Sequence, residues 1–150
     1  MAWLGVRCWK NRIALVVIDD HTDGPRVLFR RREGAPERGS DHGPHVAWFH
    51  RVVSEVIEEA RPEGVAVRVA NSDPEQVRAE CEGAVAVAAA QRGLPAMSLR
   101  QQGMWKPLGL PNAKAATWKA FQSEDSLIGS LVQEEKDAAM ASLAAARRCG

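Results

Sequence analysis

The segment Val65-Ala66-Val67-Arg68-Val69-Ala70 is apolar at every position but one. Pro62 and Gly64 precede it and a helical pattern follows it. A strand that is apolar on both faces has to be covered on both faces. Such strands sit in the parallel part of a sheet, with helices packed above and below. This short run therefore demands a mixed or parallel sheet and helices for each side of it.

The rest of the chain supplies them. Residues 3–8, 13–18 and 27–31 are short runs rich in β-branched or aromatic residues. Lys10-Asn11-Arg12 and Asp20-His21-Thr22-Asp23-Gly24-Pro25 separate them with turn chemistry, so they read as a three-stranded antiparallel meander. Residues 32–44 are rich in Gly, Pro, Ser and charge and are expected to form a mobile loop. Val46, Phe49, Val53, Val56 and Ala60 recur at helical spacing, which predicts a helix over 45–60, with Glu55, Glu58 and Glu59 off the stripe. After the apolar strand, Asp73 suits an N-cap, Pro74 the first helical position and Gln76 a capping box, and Gly93 closes that helix. Its half from Gly83 to Ala90 is so small-sided that a flat sheet is its natural partner. Residues 94–99 read as a fifth strand, 101–111 as a loop holding Trp105 and Lys106, and 112–122 as a helix. A last helix is predicted over 131–147, with Arg147-Arg148 placed favourably for its dipole.

The order β-β-β-α-β-α-β followed by helices is that of the RNase H-like α/β fold. It implies a five-stranded mixed sheet in which β1-β2-β3 meander antiparallel, β4 and β5 run parallel to β1, and helices cover both faces. A length of 150 residues fits one such domain. Particular residues extend the match. Gly5-Val6-Arg7-Cys8-Trp9-Lys10-Asn11-Arg12-Ile13 resembles the first strand and hairpin of RuvC-type Holliday-junction resolvases, which open with Gly-x-Asp-Pro-Gly. Residues 62–71 resemble that family's Glu-bearing strand, and Gly83 to Pro95 its small-residue helix and the exit from it. Gly109-Leu110-Pro111-Asn112-Ala113-Lys114 resembles its glycine-containing loop, and Asp137-Ala138-Ala139-Met140-Ala141 its Asp-Ala-Ala-Asp-Ala helix motif.

The resemblance implies a two-Mg²⁺ nuclease site built from four carboxylates, and hard Mg²⁺ requires such oxygen donors. At the matching positions this chain has Arg7, Arg68, Asp137 and Met140. An arginine about 4 Å from a divalent ion opposes it by roughly 8 kcal/mol at an effective dielectric near 20. The expectation is a degenerate site with no catalytic residues and no metal, in which Arg7 and Arg68 pair with Asp137. Mg²⁺ would be a cofactor only for a nuclease using other acids. Asp19, Asp20, Glu58, Glu59, Glu134 and Glu135 are simpler to read as turn, dipole or surface residues. His21, His42, His45 and His50 lack tight metal-ligand spacing, with His42 and His45 flanking Pro44 in the loop.

Loss of catalysis does not remove binding. Lys10, Arg12, Trp105, Lys106 and Lys114 combine cations with a stacking surface, as binders of branched or single-stranded nucleic acid do. Lys119 and Trp118 lie among them, although core packing is the plainer role for Trp118. Arg30-Arg31-Arg32 is a second basic stretch, read as a solvated strand end or a phosphate contact. The formal net charge is only +1, so any basic face must be local. No apolar run reaches the roughly 20 residues of a membrane span, and Met1-Ala2-Trp3-Leu4 does not open like a signal peptide, so no membrane association and a cytoplasmic location are expected. Cys8, Cys81 and Cys149 form no CxxC pair and read as reduced thiols, the first two in the core. A catalytically silent nucleic-acid-binding domain, a scaffold or homodimeric interaction module, and a nuclease with displaced acids are the functions these features permit.

Overall fold

A computed structural model describes residues 1–71, 75–110 and 114–150. Strands β1 (Ala2–Trp9), β2 (Arg12–His21) and β3 (Gly24–Gly34) lead to helix α1 (Gly43–Ala60). Strand β4 (Gly64–Arg68), helix α2 (Gln76–Ala90) and strand β5 (Ala96–Leu99) follow. Helices α3 (Gln101–Trp105) and α4 (Ala115–Glu124), a 3-10 turn (Ile128–Ser130) and helix α5 (Gln133–Cys149) complete the order. The sheet runs β3-β2-β1-β4-β5. Its β1/β2 and β2/β3 pairs are antiparallel, and its β1/β4 and β4/β5 pairs are parallel. The expected mixed sheet, with helices on both faces, is what forms.

Alternation along β1 explains the two layers. Leu4, Val6 and Cys8 face α1 and α2, where Phe49, Val53, Cys81 and Val85 are buried. Trp3 and Gly5 face α5, whose alanines share a second core with Ala14, Val16, Ile18, Met104 and Ile128. Among the described residues no helix is long and apolar enough to cross a membrane.

Several boundaries differ from the sequence reading, each for a tertiary reason. β3 continues to Gly34, so Arg32 is a strand residue opposite Ala14, and the connection to α1 is shorter than expected. Its loop-like composition is offset by ion pairs that Arg31 and Arg32 make with helices on either face. α1 starts at Gly43, which puts His45 inside the helix, where it is buried. α2 starts at Gln76 with Glu75 in the cap position and no side-chain cap; Asp73 and Pro74 lie outside the described residues, as does Asn112. Gly93, at φ +68°, sits just past the end of α2, as expected. β5 is only Ala96–Leu99. Residues 101–105 are helical rather than loop because Asn71 Oδ1 accepts the Gln101 amide at 3.1 Å and Met104 is fully buried. α5 starts at Gln133, and Leu131, expected inside it, packs into the core just before it. α2 packs on strands β1, β4 and β5, as its small side chains lead one to expect, and also against α1. The small-sided helix with the most extensive sheet contact is α5.

That contact is made at backbone distance. A side chain at Gly5 would overlap the carbonyl of Ala138 and crowd the Ser142 amide. One turn on, Ser142 Oγ accepts from Ile18 N at 3.0 Å and donates to Trp3 O at 2.5 Å, so a helix hydroxyl bridges the two opposed residues of β1 and β2. In β3, Leu28 is an extra residue, since Val17 pairs with Phe29 and Ile18 with Val27. This bulge turns Arg30 and Arg32 toward α5 and leaves Arg31 toward α1.

Gly5→Ala should cost about 1–3 kcal/mol or more by forcing α5 off the sheet. Gly83→Ala, at an exposed helical position with nothing within 4 Å, should gain up to about 1 kcal/mol. Urea unfolding of both variants checks the pair, and equal effects would contradict the close-approach account.

Candidate functional site

Parallel strands bring their carboxyl ends to one edge of the sheet, which is where open α/β sheets bind ligands. Here β1 and β4 place Arg7 directly opposite Arg68. The same row continues through Ala14 of β2 to Arg32 of β3. Arg68 is 5% exposed.

The N-terminal turns of α5 lie over this row. Arg7 Nε stands 3.6 Å from Asp137 Oδ2. Arg32 reaches Glu134 at 3.5 Å and Glu135 at 3.7 Å. Gln122 of α4 donates to Asp137 Oδ1 at 3.3 Å and approaches Met140 Sδ at 3.7 Å. Thus Arg7, Arg68, Asp137 and Met140 do converge. The expected double pairing is only half realised. Arg7 meets Asp137, whereas Arg68, buried at the end of β4, donates instead to the carbonyl of Val69, the next residue.

Two further residues join them from α2. Arg78 Nε pairs with Glu82 Oε1 at 2.9 Å, and Arg78 Nη2 and Arg7 Nη1 both donate to Arg68 O, at 3.4 and 3.3 Å. Arg78 and Glu82 are an i,i+4 pair on α2, a spacing that by itself carries no sign of a site. Burial pushes the Asp137 carboxyl above its ordinary range, against the pull of Arg68 and Arg78. Burial likewise raises Glu82, against Arg78 and Arg68, and lowers Arg68, against Asp137 and Glu82. In each case desolvation outweighs the charge attraction.

The donors present do not fit a divalent cation. Two carboxylates, Asp137 and Glu82, with one amide and a thioether face three guanidinium groups, and both acids are already engaged by arginines, whereas Mg²⁺ wants several anionic oxygens. Among the described residues, no group of three or more His, Cys, Asp or Glu stands close enough to hold a metal.

The candidate nucleic-acid residues fall into separate places. Lys10 and Arg12 lie at the β1–β2 turn beside Trp9, a residue the sequence does not mark as functional. The Arg12 and Arg7 guanidinium carbons lie 4.5 and 5.5 Å from the Trp9 ring centre. His45 Nε2 donates to Lys10 O at 2.8 Å and so ties that turn to α1. Lys106 instead lines an open cleft with Gln102, Arg147 and Arg148. Arg147 is ten residues beyond Asp137, roughly 15 Å along α5. Trp105 is half-buried against the α5-side core, Trp118 is buried there, and Lys114 and Lys119 are exposed on or beside α4. Cys8 and Cys81 are buried, and burial pushes the Cys81 thiol up to about 11.

Solved structures share this fold. A Thermus thermophilus RuvC structure superposes with a TM-score of 0.81 over 99% of this chain and 95% of that one, at 20% identity. The chain folds as RuvC does. A second structure, T. thermophilus RuvC in complex with Holliday junction substrate, gives 0.79 at 21% identity over 99% and 94% of the two chains. The yeast mitochondrial Holliday junction resolvase Ydc2 gives 0.63 at 14% identity over 97% and 77%. No protein-family profile matches the chain, and no curated protein sequence does. The RuvC-like fold explains why the ends of β1 and β4 and the start of α5 meet at one edge.

Because Asp137 is held above its ordinary value near 3.8, the folded state takes up its proton first. Its contribution to stability is present at acid pH and lost as pH rises through the raised folded value. Asp137→Asn should therefore gain stability relative to the parent as pH rises from about 3 to 7. Urea titrations across that range check the sign, and a gap that moves against the variant would contradict it.

Proposed function

We propose that this chain is a RuvC-like domain that binds branched nucleic acid and does not perform two-metal nuclease chemistry. The observation that carries the reading is the arginine row at the carboxyl ends of β1 and β4. On the family resemblance, Arg7 and Arg68 stand where metal-binding carboxylates would be, and Met140 where a further one would be. A cation pair there opposes metal ions and attracts phosphates. The similarity to RuvC solved with a Holliday junction supports a four-way junction as the first ligand to test.

Arg7, Trp9, Lys10, Arg12 and Arg32 form the proposed contact surface, with cations for the backbone and an indole for an unpaired base. Lys106 with Arg147 and Arg148, and Lys114 just before α4, are candidates for a second stretch of the path. The reading requires no metal cofactor.

Gel retardation should show junction binding without added metal, weakening by about tenfold or more between 50 and 200 mM salt. Lys10→Ala with Arg12→Ala should weaken it further and flatten the salt slope by about one to two units. No retardation at low salt would reject nucleic-acid binding in favour of a non-catalytic interaction or dimeric scaffold module. Mn²⁺-dependent junction cleavage lost in Asp137→Asn would reject the non-catalytic part instead.

A further inference from the structure

Three guanidinium groups converge on one peptide group at the end of β4. Arg7 and Arg78 both donate to Arg68 O, at 3.3 and 3.4 Å, and Arg68 itself turns to Val69 O. The acids facing them are Glu82, on Arg78 at 2.9 Å, and Asp137, 3.6 Å from Arg7 Nε. Three cations against two acids leave one positive charge in excess.

That excess sits in a poorly hydrated place. Arg68 is 5% exposed, and the Arg7, Arg78 and Glu82 side chains are 13%, 18% and 10% exposed. Buried donors are normally satisfied, and an unmatched buried charge is unfavourable. Among the described residues, however, Arg68 Nε is buried without a hydrogen-bond partner, and Arg7 Nε, likewise buried, has only Asp137 Oδ2 at 3.6 Å, beyond hydrogen-bond distance. Two orphaned N–H groups on adjacent strands, within a cluster that carries surplus positive charge, are a complement for a tetrahedral oxyanion. Guanidinium forks match phosphate oxygens, and charge-assisted bonds of this kind are the strong ones.

We propose that Arg7, Arg68 and Arg78 form a built site for one phosphate group, held by guanidinium groups directly and with no metal between. This inference rests on the nucleic-acid reading only for the source of the phosphate, which is a phosphodiester of the bound strand if that reading holds and free phosphate if it does not. Asp137 and Glu82 are then counter-charges that tune the site. Their removal strengthens anion binding, the opposite of what removal of a metal ligand does.

The test is calorimetric titration of the full chain with inorganic phosphate and with sulfate, alongside junction retardation. Arg78→Met, which keeps the aliphatic stem of a partly buried α2 side chain, should weaken phosphate binding by about tenfold or more without loss of the fold. Arg68→Met should do the same, and Arg68→Lys should restore part of the affinity. Asp137→Asn should tighten phosphate binding several-fold. Weaker phosphate binding in Asp137→Asn, or parent and Arg78→Met alike, overturns the proposal. The two readings separate cleanly. Phosphate bound without junction retardation leaves this site standing and removes the nucleic-acid function. Junction retardation unchanged by Arg78→Met, with no phosphate binding, does the reverse.

Discussion

The contact between α5 and β1 is what the rest of the arrangement depends on. Gly5 lets the helix backbone touch the strand, and the Ser142 hydroxyl is inserted between Trp3 O and Ile18 N. Both are buried, so leaving those two backbone groups unpaired would cost about 1–3 kcal/mol each. The ion pairs between α5 and the arginine row are of another order. They span 3.5 to 3.7 Å and are partly exposed, and such pairs are worth about 0–1 kcal/mol each. Packing therefore positions the helix and the charges follow. The first turns of α5 are carried over Arg7 and Arg32 by alanines, a glycine and a serine.

This division explains what could be read in the sequence. The strand order was legible because each strand announces itself through local alternation or through a continuous apolar run, and turn residues separate the runs. The meeting of Arg7, Arg68 and Asp137 was legible through the resemblance in β1, β4 and α5. Arg78, Glu82 and Gln122 were not. α2 is alanine-rich on most of its surface, so no apolar stripe tells which side of it faces the sheet, and an i,i+4 pair reads as surface decoration. Residues 101–105 read as loop in the sequence because the first amide of α3 is satisfied by Asn71, thirty residues earlier in the chain. Trp9 carries no such signal, because its place beside Arg7 and Arg12 depends on how the hairpin closes, not on spacing.

The electrostatics of the edge follow from the same geometry. A guanidinium at Arg68 is kept from water by strands on both sides and by helices above and below. The protein responds with main-chain carbonyls: Arg68 O takes two arginines and Val69 O a third. Carbonyl dipoles compensate a cation only in part, which is why Glu82 and Asp137 stand near although burial disfavours their charged forms. Neither acid neutralises the group alone, and together they leave one charge over.

On the proposed reading, that residue of charge separates this edge from a metal centre in kind rather than degree. A divalent ion concentrates two charges at a point, polarises a bound water and orients it for attack. A guanidinium spreads one charge over a plane, activates no water, and offers direction through its N–H bonds. An edge built from guanidinium groups can hold and orient a phosphate with geometric precision while supplying no nucleophile. A fold that brings two parallel strand ends and a helix start together preserves the place where a phosphate meets the protein. The side chains at that place decide whether the meeting ends in hydrolysis or in binding.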